Sequence, residues 1–121
     1  MLSETSQVAT FHSPDGSILA DWYQISGGGG PGWSEDRVRL RKRGEEFKAD
    51  ADPVFIGISA DKLLIEWDGN DRLRIVYPRN TGVTKSQPTW NNVSITYAED
   101  FDMKRNWGIA ARLPVAVFRL V

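Results

Sequence analysis

Arg37, Arg39, Arg41 and Arg43 stand at every second position, with Lys42 between the last two. In a strand such spacing lines one face, and at about 3.3–3.4 Å per residue the row spans roughly 20 Å. A row of guanidinium groups can contact phosphates or an acidic protein surface. The plain alternative is a face neutralised by its neighbours. Glu35, Asp36, Glu45 and Glu46 flank the row in sequence, and Asp21 could lie across a hairpin from it. Tryptophan offers a second chemistry. Trp33 closes a run made of Gly27, Gly28, Gly29, Gly30, Pro31 and Gly32, and Trp90 follows Pro88 in a loop. A loop tryptophan can anchor a protein partner or stack on a sugar ring. Trp22 and Trp67 have apolar strand neighbours and fit the core instead.

Other arrangements fall short of a site. The glycine run lacks the Lys and Ser/Thr of a phosphate loop, and Ser34, Glu35 and Asp36 lead into a strand rather than a helix. His12 is the only histidine and there is no cysteine, so disulfides, thiolate zinc sites and histidine pairs are excluded. Asp68, Gly69, Asn70 and Asp71 begin like a calcium loop, but Arg72 and Arg79 fall where ligands are needed. Carboxylates at 50–52 and 99–102 could bind calcium only weakly. His12 beside Ser13 is adjacency, not triad geometry. Carboxylate pairs can always be found among sixteen acidic residues, so they discriminate nothing. Asn92, Val93 and Ser94 match a glycosylation sequon, but on an expected strand. No catalytic residue, metal ligand or cofactor is assigned, and no enzyme activity is expected.

Composition gives the chain no global field to draw it to nucleic acid or membranes. The 121 residues carry 15 basic and 16 acidic side chains, a net charge of −1. With a pI of 5.8, nothing draws the chain to nucleic acid. No apolar run has membrane-spanning length. Residues 1–10 contain neither a basic nor an apolar signal region, so no signal peptide is expected there.

The elements that must position these residues read as short strands between Gly, Asp, Asn and Pro turns. The clearest is a hairpin over 62–77, with Gly69, Asn70 and Asp71 as its turn. It sets Trp67 against Leu73, Ile65 against Ile75 and Leu63 against Tyr77. On the other face Glu66 meets Arg74 and Asp68 meets Arg72. A slip of one residue would set Trp67 against Arg72, and each correct pair contributes roughly 0.2–1 kcal/mol. Further strands are expected at 17–26, 37–43, 54–59, 92–97 and 114–121, with another at 8–12. Ser13, Pro14, Asp15 and Gly16 form a turn. Residues 77–88 show no element, and one short helix is allowed within 102–112. The expected fold is all-β: a single domain over 1–121, an antiparallel sandwich or strongly curved sheet of about seven or eight strands. Residues 1–7 are expected to be disordered. The expected core is Ile18, Trp22, Val38, Leu40, Phe55, Ile65, Trp67, Leu73, Ile75, Val93, Ile95 and Phe118. The apolar strand at 114–121 could close the sheet or pair with a second copy as a homodimer.

The order of the Ser13–Gly16 turn, the glycine run ending at Trp33, Arg37-Val38-Arg39-Leu40, Ile65-Glu66-Trp67 and Leu73-Arg74-Ile75-Val76-Tyr77-Pro78 resembles a family of small uncharacterised bacterial proteins. The resemblance covers roughly residues 11–97, leaving 100–121 as a C-terminal extension. It implies a β-rich fold and a periplasmic or lipoprotein setting if a signal segment was removed, and otherwise the cytoplasm. It brings no catalytic residues.

The expectation that follows is a non-enzymatic interaction protein, of the immunity or inhibitor kind, binding a protein partner through Arg37, Arg39, Arg41, Arg43 and Trp33. The alternative is a small-ligand or carbohydrate-binding module using Trp33 and Trp90.

Overall fold

The computed structural model describes residues 3–27, 33–58, 60 and 62–100. Nine strands lie among them: β1 (Ser3–His12), β2 (Ile18–Gly27), β3 (Trp33–Lys42), β4 (Phe55–Ile58), β5 (Leu64–Trp67), β6 (Arg72–Pro78), β7 (Gly82–Ser86), β8 (Thr89–Trp90) and β9 (Val93–Asp100). They form a five-stranded sheet, β1-β2-β3-β4-β7, and a four-stranded sheet, β5-β6-β9-β8. The fold is all-β, and the described residues contain no helix.

Alternation builds the core. Trp22 pairs with Val38 and Ala20 with Leu40, so β2 and β3 turn these side chains to the same face. Against them the second sheet sets Ile65, Trp67, Leu73, Ile75, Val93 and Ile95, all buried in one apolar cluster. Each such side chain contributes roughly 1.5–3 kcal/mol on leaving water. The β5–β6 hairpin has the expected register: Ile65 faces Ile75, Glu66 faces Arg74 and Trp67 faces Leu73. Its ladder ends at Leu64–Val76, one step short of the expected Leu63–Tyr77 pair. At the turn Gly69 takes φ +84°, which a side chain would strain.

Four expectations need correction. Residues 77–88 are not without an element: β7 lies within them and β8 just beyond. β7 reads Gly-Val-Thr-Lys-Ser with no apolar run and β8 has only two residues, so neither shows hydrophobic periodicity. Not every pair is antiparallel. β9 runs parallel to β6, because residues 79–92 cross to the first sheet as β7 and return as β8. Residues 3–7 are not disordered but begin β1, where pairing with β2 supplies what their polar sequence does not. Ile18 packs only at the margin of the core. The helix within 102–112, the strand at 114–121 and Phe118 lie outside the described residues.

Among the described residues side chains tether one sheet to the other, and at the hairpin turns the Asn70 amide oxygen accepts from the Asp15 backbone amide at 2.9 Å. The Trp67 indole donates to the Phe11 carbonyl at 2.9 Å, joining β5 to the outer strand β1. On the opposite edge the Tyr97 hydroxyl lies 2.7 Å from the Gln87 carbonyl and 3.1 Å from that of Val54. The rings of Tyr77 and Tyr97 both stack on Phe55, with centroids 5.8 Å away.

Burial pushes the Tyr97 phenol well above its ordinary value of 10.0. Unfolded, this group loses its proton as pH passes that value, whereas the folded protein keeps it. The unfolded state then binds fewer protons, so stability falls as pH rises. Tyr97→Phe should lower unfolding free energy at neutral pH by about 1–2 kcal/mol and flatten part of the alkaline decline. Urea unfolding on both sides of pH 10 measures both effects.

Candidate functional site

The arginine row lies on the outer face of β3, but most of it is engaged within the fold. Arg37 clasps Glu35 two residues away, with Nε at 2.9 Å and Nη2 at 2.6 Å from Oε1. Arg39 is buried and donates to the Glu46 carbonyl at 3.1 Å. Arg41 meets Asp21 side-on, with Nε 2.6 Å from Oδ2 and Nη2 3.2 Å from Oδ1, and its third nitrogen donates to the Glu45 carbonyl. The Asp21 side chain is fully enclosed. Thr10 and Gln7 also donate to it, at 2.7 and 3.3 Å. A register shift between Gln7 and Ala9 lets two residues three apart reach the same face.

The segment after β3 covers this layer. Phe47 meets the Tyr23 ring edge-on at 5.1 Å, and the Tyr23 hydroxyl reaches the Ala49 carbonyl at 3.4 Å. Burial raises the Tyr23 phenol, and the nearby Arg37 charge opposes that rise. Arg37, Arg39 and Arg41 therefore form part of a packed polar layer. Arg43, just past the strand, is exposed.

A second polar cluster lies on the inner face. Asp36 is buried and accepts from the Trp22 indole at 2.7 Å and the Gln24 amide at 3.0 Å. This places Trp22 in the core and fixes its ring.

The structure brings other residues together at the opposite end of β3. Ile18 pairs with Lys42, beyond the last core pair of Ala20 with Leu40. Lys42 thus follows the inner-face parity of β3 past the end of the packed core. From the other sheet, Trp90 pairs with Val93 across a turn in which Asn91 has φ 50°. Between them opens a cleft of about 640 Å³, lined by Ser17, Ile18, Lys42, Arg43, Trp90, Asn91 and Asn92. This volume lies in the range of small-molecule sites, about 300–1,000 Å³. Trp90 is half-buried, resting on the core while lining the cleft.

Neither Lys42 nor Arg43 makes an ion pair among the described residues, where pairing involves Arg37, Arg41, Arg72 and Arg74. The nearest acids have other duties. Asp15 accepts from the Ser13 and Ser17 hydroxyls and the Ser17 amide, which hold its carboxyl below the usual carboxylate range, the Ser17 hydroxyl foremost. Glu45 accepts from the Lys42 backbone amide at 3.2 Å. Of the tryptophans singled out from sequence, Trp90 is in the cleft. The Trp33 side chain and residues 28–32 lie outside the described residues. Lys42 stood out only as an added charge, and Ser17, Asn91 and Asn92 did not stand out at all. The Trp-Asn-Asn run was their one local signal.

Among the described residues no three His, Asp or Glu side chains gather as a metal-holding group, and no helix is long and apolar enough to cross a membrane. No protein-family model, curated protein or solved structure matches this chain.

Removing one member of a buried pair strands the other. Asp21→Asn should therefore lower unfolding free energy by about 3–5 kcal/mol. Arg37→Gln, which breaks a pair still reached by water, should cost about 1 kcal/mol or less. Urea midpoints at constant m-value separate the two cases.

Proposed function

We propose that this protein is a non-catalytic carbohydrate-binding module whose site is the cleft at the end of the sandwich. One observation carries the reading: Trp90 lines an open cleft together with hydroxyl and amide side chains. Tryptophan presents a flat apolar face suited to the C–H face of a pyranose. Asn91 and Asn92 offer donors and acceptors for its hydroxyls, and Ser17, whose proton goes to Asp15, offers an acceptor. Both halves of the site stand on strand ends, which fixes their spacing better than a free loop would.

Partner binding through the Arg37–Arg43 face has less support. To expose Arg41, a partner would have to displace the segment bearing Glu45 and Phe47 and separate Arg41 from Asp21. That exchange begins with the loss of a buried pair.

Tryptophan fluorescence across an oligosaccharide panel tests the module. Trp22 and Trp67 are buried and hydrogen-bonded, so they contribute a steady background. A saturable change is expected with at least one saccharide. Trp90→Ala should weaken that binding by about tenfold or more, equivalent to about 1.4 kcal/mol. Trp90→Tyr, which keeps a ring on the core, should retain part of it. A response that stays flat over the panel, or one unchanged by both variants, would sink the reading.

A further inference from the structure

Resting on that carbohydrate reading, we infer that the cleft takes an anionic saccharide, a pyranose bearing a carboxylate or sulfate group. Arg37 and Arg41 in the outer layer hold carboxylates, and Arg72 and Arg74 hold Asp68 and Glu66 across their hairpin. Lys42 and Arg43 stand side by side without such a partner among the described residues, and both line the cleft. Among the described residues no aspartate or glutamate lines it with them.

Position strengthens the case. Lys42 closes β3 and is held by pairing with Ile18, while the Arg43 backbone amide donates to the Ser17 carbonyl at 2.9 Å. The Arg43 guanidinium passes close over Gly16, where even an added Cβ would lie only 4.0 Å from Nη1. The backbone roots of both cations are therefore set by β-ladder geometry, and both residues line a cleft shared with an indole. A neutral sugar would use the ring and amides but leave two adjacent positive charges unanswered. An anionic substituent on the same ring answers them, and a planar guanidinium fits a carboxylate or sulfate edge in a forked arrangement. A nucleotide would also bring an anion and a ring. Among the described residues it would find one aromatic face and no second ring to sandwich the base, whereas the amides and hydroxyl suit a hydroxyl-rich ligand.

Calorimetry on the full chain decides it. The probes are a galacturonate trimer, a sulfated galactose trimer, a neutral galactose trimer and inorganic sulfate. The expected result is binding of at least one acidic trimer about tenfold tighter than the neutral one, an advantage that shrinks between low and high salt. Lys42→Gln with Arg43→Gln should abolish that advantage while leaving thermal stability in place, because both side chains are exposed. Equal binding of acidic and neutral trimers overturns the charge inference and leaves the carbohydrate module standing. Inorganic sulfate binding as tightly as the acidic trimers overturns the saccharide part. No binding of any trimer, with a flat response across the wider glycan panel, overturns both readings.

Discussion

Strand β2 is buried on both of its faces, and the remaining architecture answers that constraint. Ala20 and Trp22 face the second sheet, while Asp21 and Tyr23 face outward and are equally enclosed. An enclosed carboxylate is tolerated only when charge and hydrogen bonds meet it. Arg41 supplies the charge from one neighbouring strand, and Thr10 and Gln7 supply donors from the other. The same demand explains the register shift in β1, without which Gln7 and Thr10 would lie on opposite faces. It also accounts for the placement of residues 45–49, whose carbonyls and Phe47 ring cap the layer. The sandwich is thus three layers deep over its central strands, with a polar third layer.

That organisation separates two uses of positive charge within one short strand. Arg39 and Arg41 are drawn inward because a covering segment and a buried acid need them. Lys42 and Arg43 lie where β3 runs past both the cover and the core, so the fold makes no comparable demand on them. Trp67 joins the sheets at β1, and Tyr97 joins them at the starts of β4 and the β7–β8 connection. At the Ile18–Lys42 end of the first sheet, Trp90 is the aromatic residue that lines the opening among the described residues.

Legibility in the sequence followed the strength of local pattern. The β5–β6 hairpin was readable to its register, because apolar alternation, opposite charges and a glycine turn all demanded one pairing. Val38 and Leu40 were readable as core for the same reason. The parallel β6–β9 pair was not, since strand direction depends on a crossover made by two strands too short and polar to announce themselves. The arginine row was visible as a pattern, but alternation says only that side chains share a face. It does not say whether that face meets water, and here a later segment folds back over it. The cleft was half legible: Trp90 stood out by type, whereas Lys42 and Ser17 became its neighbours only through pairing between sheets.

The contrast between the two cation groups bears directly on function. A charge that completes a buried network contributes to folding, and it can serve recognition only by giving up that contribution. A charge held in place by ladder geometry, yet without a carboxylate, costs the fold little to present and is free to meet a ligand. Among the described residues, Lys42 and Arg43 join that condition to an aromatic face and a concave surface. Arg37, Arg39 and Arg41 serve to hold the sandwich together, whereas Lys42 and Arg43 at the strand's end are the pair we propose for binding.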